Sequence, residues 1–189
     1  MSGPIVSFHA NVLGTQELAA KFKQLEEAVQ EQYLVTATQS GGQVILNAAQ
    51  DNILTQGLVR TRNLSRSMHM EVTDQSAQSA TVEVGTDLEY AAIHEFGGVI
   101  QAKNGKYLAI PVNGAVGSPT KRSDLKVRKT AGGILVLVDP GGIVQYILET
   151  SVEIPAQPYL RPAADEHGDE AQAEVGKALA ILIEQAAVQ

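Results

Sequence analysis

The sequence predicts an α+β fold: one mainly antiparallel sheet, with a long N-terminal helix and a C-terminal helix packed on it. Three observations carry this. Apolar residues recur at helical spacing from Leu18 to Ile53, and again from Ala163 onward. Between these stretches lie several short runs with the two-residue alternation of half-buried strands. Gly, Pro and Asn punctuate those runs. The 189 residues suffice for one domain with its own core, expected over 1–189, with an extended hairpin and loop region at about 99–150.

The first element is a strand over 5–13. Val6, Phe8, Ala10 and Val12 share one face, opposite Ser7, His9 and Asn11. Gly14 ends it, and Thr15 is placed to cap a helix. Leu18, Phe22, Leu25, Val29 and Tyr33 make that helix amphipathic, with Lys21, Lys23, Glu26, Glu27 and Glu31 on the polar side. Val44, Ile45, Ala48, Ala49 and Ile53 continue roughly in phase after Gly41-Gly42. The glycines mark either a kink or close crossing in one long helix, or a break between two.

Met68 to Val72 and Ala80 to Val84 alternate around the polar DQSAQS, as a hairpin does. Asp87 is placed to cap a helical turn, LEYAAIHEF, closed by Gly97 in a left-handed conformation. Val99–Ala102 and Tyr107–Val112 flank Asn104-Gly105, a strong local hairpin signal. Residues 113–130 read as a long polar loop. GILVLVD and IVQYILETSV form another hairpin that turns at Pro140-Gly141. Three prolines keep IPAQPYLRP extended before the last helix.

Composition narrows the function. Fourteen Lys and Arg against 21 Asp and Glu leave a net charge of −7, which argues against a free-standing nucleic-acid binder. The chain has no cysteine, so disulfides and thiol catalysis drop out. No signal peptide is visible, and no apolar run reaches the ~20 residues of a membrane helix. The expectation is a protein made in a cytoplasm, with no membrane partner.

His94-Glu95 looks like the front of a metal-hydrolase signature. That signature needs a second His four residues on, so that both imidazoles face one metal. Gly98 stands there, and His9, His69 and His167 lie in separate elements. No catalytic residue, metal ligand or cofactor is assigned, and a hydrolase using Glu95 alone is kept as a minor alternative. The expected corner has Tyr90, Ile93 and Phe96 packed inward, with His94 and Glu95 facing solvent or a neighbour. There is no Walker loop and no G-x-S-x-G elbow. The basic cluster KRSDLKVRK supplies Lys121, Arg122, Lys126, Arg128 and Lys129. It reads as a solvated loop, or as a contact with phosphate or an acidic partner. The acidic run DEHGDEAQAE at 165–174 reads equally as a helix start, where acids suit the dipole, or as a counterpart that identical subunits in a ring could pair head to tail.

Three segments occur in a telling order: RTRNLSRSM (60–68), EYAAIHEFGG (89–98) and IPAQPYLRPA (154–163). This set resembles the tail-completion, or virion morphogenesis, proteins of tailed bacteriophages and their head–tail joining relatives. Those show TG-x-L-x-x-S, then YA-x-x-H-E/Q-F/Y-G, then PARPFL and a terminal helix. KYLAIPV also looks like a segment found between the last two. The chain departs from the pattern at Arg62, where Gly is common, and at Gln157, where Arg is usual. Its 100–150 region is longer than in the shortest relatives.

The resemblance implies a non-enzymatic structural subunit of a ring at the phage neck, or at the head-proximal end of the tail. Such a ring completes the tail for head–tail joining. Implied partners are further copies of itself (a hexamer is the expected form) and other neck, connector, tail tube or terminator proteins. Genomic DNA would be a passing contact if the 113–130 loop lines the channel. The implied location is the virion, after synthesis in the host cytoplasm. Carried over by position, the interface or fold-defining residues are Asn63, Leu64 and Ser67; Tyr90, Ala91, His94, Glu95, Phe96 and Gly97; and Pro155, Pro158, Tyr159, Leu160 and Arg161. The alternative from a different class is a connector adaptor that contacts DNA through the basic loop.

Overall fold

In the computed structural model the described residues are 3–10, 16–58, 62–103, 105–115 and 117–186. They divide into two compact units, one formed by 1–96 with 156–189 and the other by 97–155. Val12, Gly14, Thr15, Arg60, Thr61 and Asn104 lie outside the described residues.

The first unit contains β1 (Ile5–Ala10), α1 (Gln16–Lys23), α2 (Glu27–Thr55), α3 (Asn63–Ser67), β2 (His69–Gln75), β3 (Ala80–Gly85), α4 (Ala91–Phe96) and α5 (Leu160–Ala186). Its strands form an antiparallel sheet in the order β1-β3-β2. Val82 and Val84 on the central strand are buried. The predicted hairpin forms, with an irregularity in β2 between Val72 and Asp74.

The helix α2 runs unbroken through Gly41 and Gly42, both buried. A Cβ on Gly42 would lie 2.7 Å from Met70 Sδ and 3.0 Å from Val82 Cγ1. The glycine therefore serves a close crossing of helix over sheet, one of the two options its spacing left open. The break comes earlier, between α1 and α2. There the Gln24 and Leu25 N–H groups donate to Lys21 O and Phe22 O, and Gln30 Nε2 donates to Leu25 O at 2.8 Å. Glu26 is extended, with ψ 148°. No Gly or Pro announces this break.

The core lies where α2 packs on α5. One cluster holds Ile45, Ala49, Ile53, Leu64, Val84, Tyr159 and Leu160. A second holds Phe22, Leu34, Ala37, Val175, Leu179 and Ile183. Each fully buried Leu or Ile contributes about 1.5–3 kcal/mol, so the α2–α5 seam dominates this unit. The turn into α4 is held by Thr86, whose buried Oγ1 accepts the Leu88 N–H at 3.2 Å. The predicted cap, Asp87, is exposed, with a carboxylate oxygen 3.9 Å from His69 Nε2.

The second unit contains β4 (Gly98–Gln101), β5 (Leu108–Pro111), β6 (Lys126–Lys129), β7 (Leu135–Val138), β8 (Val144–Glu149) and β9 (Ser151–Ile154). β4 pairs with β9, while the other four form an antiparallel sheet in the order β5-β8-β7-β6. The β7–β8 hairpin is as expected. Its turn is held by Asp139, whose Oδ1 accepts the Ile143 N–H at 3.0 Å, and by Gly142 at φ +82°.

Two expectations are corrected here. The runs around Asn104-Gly105 do not pair with each other; each takes a partner distant in sequence, β9 and β8. The 113–130 segment is not all loop, because it contains a 3-10 turn at Pro119–Lys121 and the strand β6. The α+β class and both flanking helices are as expected. Among the described residues the strands are shared out over three antiparallel sheets. Non-local partners decided that division, and alternation along the chain does not encode them.

No helix among the described residues is long and apolar enough to cross a membrane.

Candidate functional site

The helix α5 starts at Leu160 after Pro158 and Tyr159. Nothing from Pro155 to Tyr159 is a Ser, Thr, Asp or Asn, so the helix brings no capping side chain of its own. Its first N–H groups need acceptors from elsewhere. Glu95 supplies them across 64 to 66 residues: Oε2 accepts the Tyr159 and Leu160 N–H groups at 2.9 and 3.0 Å, and Oε1 accepts Arg161 N–H at 2.9 Å. The carboxylate sits where the helix dipole is positive, and charge-assisted bonds offset its desolvation.

The opposite side of the same segment is also held. Asn52 Nδ2 donates to Tyr159 O at 3.0 Å, and Gln56 Nε2 donates to Pro158 O at 2.8 Å. Gln157 N–H donates to His94 O at 2.7 Å. The 60–68 motif joins through α3. Leu64 is buried, Ser67 Oγ donates to Leu64 O at 2.8 Å, and Ser67 Oγ lies 2.7 Å from Thr86 Oγ1. Gln50 Nε2 donates to Ser65 O at 3.1 Å. Three segments separated in sequence thus form one joint at the end of α2.

The structure overturns the predicted corner at Glu95, Tyr90 and Phe96, while Ile93 is partly buried. Glu95 is 2% exposed, whereas Tyr90 and Phe96 are 43% and 61% exposed and do not anchor it. Burying Phe96 would bring about 2 kcal/mol. Leaving three amides of a buried helix end without acceptors would cost about 1–3 kcal/mol each. The cap wins, and on a six-residue helix it decides which side turns inward. His94 is half-buried, with the Tyr90 ring edge-on at 6.1 Å. Gly97 is left-handed at φ +68°, as its position predicts.

Tyr159 is fully buried; Pro158 is partly buried, and Pro155 and Arg161 are exposed. Burial and then the Glu95 carboxylate push the Tyr159 phenol well above its ordinary range, so it stays neutral. Among the described residues its hydroxyl and His94 Nδ1 have no hydrogen-bond partner. Both Glu95 oxygens accept backbone N–H groups, so in this structure the carboxylate is engaged in holding the start of α5. A groove of about 640 Å³ along α2 is lined by polar residues of that helix, among them Thr36, Gln39, Gln43 and Asn47, together with Met70 and Glu174.

Arg62, just before α3, is left-handed at φ +57°. It stands where the resembling family commonly has Gly. A non-glycine residue there costs about 1–2 kcal/mol, part of which glycine's greater chain entropy offsets. We expect Arg62→Gly to raise stability by about 0.5–1 kcal/mol in urea denaturation. An unchanged or lower midpoint would show that the turn is unstrained.

Of the predicted basic residues, Arg122 is bound bidentately to Asp124, at 2.6 and 3.1 Å. This hydrogen bond holds the Asp124 carboxyl below the usual carboxylate range. Lys126, Arg128 and Lys129 lie exposed on β6, and Lys121 ends the 3-10 turn. Sequence reasoning missed Asn52, Gln56 and Thr86. The available signal was the pair of amides at i, i+4 near the end of α2.

Residues 16–97 match the model of a family described as "Bacteriophage HK97-gp10, putative tail-component". No curated protein and no solved structure matches the chain significantly. The match ends where the 97–155 unit begins. It covers the first two of the three ordered motifs, and the third is the segment that Glu95 caps. The stretch from α1 to α4 therefore carries the HK97-gp10-like pattern of a bacteriophage tail component.

Proposed function

We propose that this protein is a ring-forming subunit at the phage neck, or at the head-proximal end of the tail, that finishes the tail for head–tail joining. The observation that carries this reading is the joint built from all three motifs. Its one buried acid is spent on holding α5 in place, which is a structural use. The family match supports a tail component, and the ordered motifs support the tail-completion branch of that class.

The test is the mass of the purified protein in solution, by light scattering over a range of concentrations, with and without the tail tube protein of the same phage. A closed oligomer, formed alone or on the tube, is the expected result. A protein that stays monomeric in both settings would overturn the ring.

A further inference from the structure

We infer that the basic edge strand β6 of one copy docks on the acidic first half of α5 in a second copy. The inference rests on the ring reading and names the contact that would build it.

Charge follows the two structural units. The 97–155 unit has seven Lys and Arg against four Asp and Glu, a net +3. The rest of the chain has seven against seventeen, a net −10. Contacts between like units of two copies would set charges of one sign against each other. A contact between unlike units is attractive and steers encounter. Identical subunits that join through two different surfaces propagate head to tail and close into a ring when the rotation permits.

The two surfaces can be named. In its sheet β6 is paired only with β7, so its outer edge offers unpaired backbone N–H and C=O groups. All four of its residues are exposed, and Val127, between the cations, is 64% exposed. Lys126, Arg128 and Lys129 make no ion pair among the described residues. On α5, the exposed Glu166, Asp169 and Glu170 fall at i, i+3 and i+4 and so form one stripe, with Asp165 beside it. Duplex DNA is the weaker occupant for β6. Three cations release few counterions, and a chain of net −7 is repelled by a polyanion.

The test is a charge swap. One variant carries Lys126→Glu, Arg128→Glu and Lys129→Glu; the other carries Glu166→Lys, Asp169→Lys and Glu170→Lys. Circular dichroism checks that both fold, and the Gln counterparts at the same positions serve if either does not. Each variant alone is expected to associate about tenfold or more weakly than the unaltered chain. An equimolar mixture is expected to recover association, because each altered surface then meets its complement. If both variants assemble like the unaltered chain, this contact is wrong and the ring reading stands. If the unaltered chain never assembles, alone or on tail tube protein, both fail. If the β6 variant assembles normally but loses salt-sensitive retention on duplex DNA, β6 is a nucleic-acid face and the copy-to-copy contact is overturned.

Discussion

Glu95→Ala is expected to destabilise the protein by about 3–5 kcal/mol, a large part of the 5–15 kcal/mol that holds an ordinary domain together. The substitution removes the acceptor of three backbone N–H groups at the start of α5 and leaves them in a site where Glu95 is 2% exposed. Bonds to a charged group contribute about 1.5–3 kcal/mol each, and partial water entry limits the total. Glu95→Gln should fall between. Its single oxygen can replace Oε2, but its NH₂ then faces the Arg161 N–H, donor against donor. The measurement is urea denaturation followed by far-ultraviolet circular dichroism. A loss of less than about 1 kcal/mol for Glu95→Ala would mean that the cap contributes little.

Gly42→Leu should cost about 3 kcal/mol or more, and Gly42→Ala about 1. Alanine brings about 1 kcal/mol of helix propensity. Its Cβ would nevertheless meet Met70 Sδ at 2.7 Å and Val82 Cγ1 at 3.0 Å. Met70 can rotate away. Val82 is β-branched and sits on the central strand of its sheet, so it yields little. Gly176 is the control, because a Cβ there meets nothing within 4 Å. Gly176→Ala on α5 should stabilise by about 0.5–1 kcal/mol in the same assay. If both alanine variants stabilise, the close crossing at Gly42 is not tight.

The elements that were legible in the sequence are those whose pattern is local. The apolar stripes of α2 and α5, the β2–β3 and β7–β8 hairpins and the left-handed Gly97 each follow from neighbours within a few residues. The polarity of Glu95 misled, because a charged residue in a short helix reads as solvent-facing until its partner is known. That partner announces itself only through an omission, a helix start at Leu160 without a capping side chain. The Asn104-Gly105 signal misled in the opposite sense: a turn dipeptide says nothing of which strands pair beyond it. At the β6 edge, Lys126, Arg128 and Lys129 made a strand look like loop. Exposed edge strands often carry such charges, which deter indiscriminate pairing.

The pairing of Gly98 with Ile154 has a consequence for synthesis. The 97–155 unit begins and ends on neighbouring strands, so it can close on itself as soon as it leaves the ribosome. The unit around it cannot. Ile45, Ala49 and Ile53 wait, with part of their core missing, until Tyr159, Leu160 and Ala163 arrive. A chain that stops short of α5 is left with an apolar α2 face and an uncommitted Glu95. Translation must therefore run through most of α5 before the first strands have a complete core to pack on.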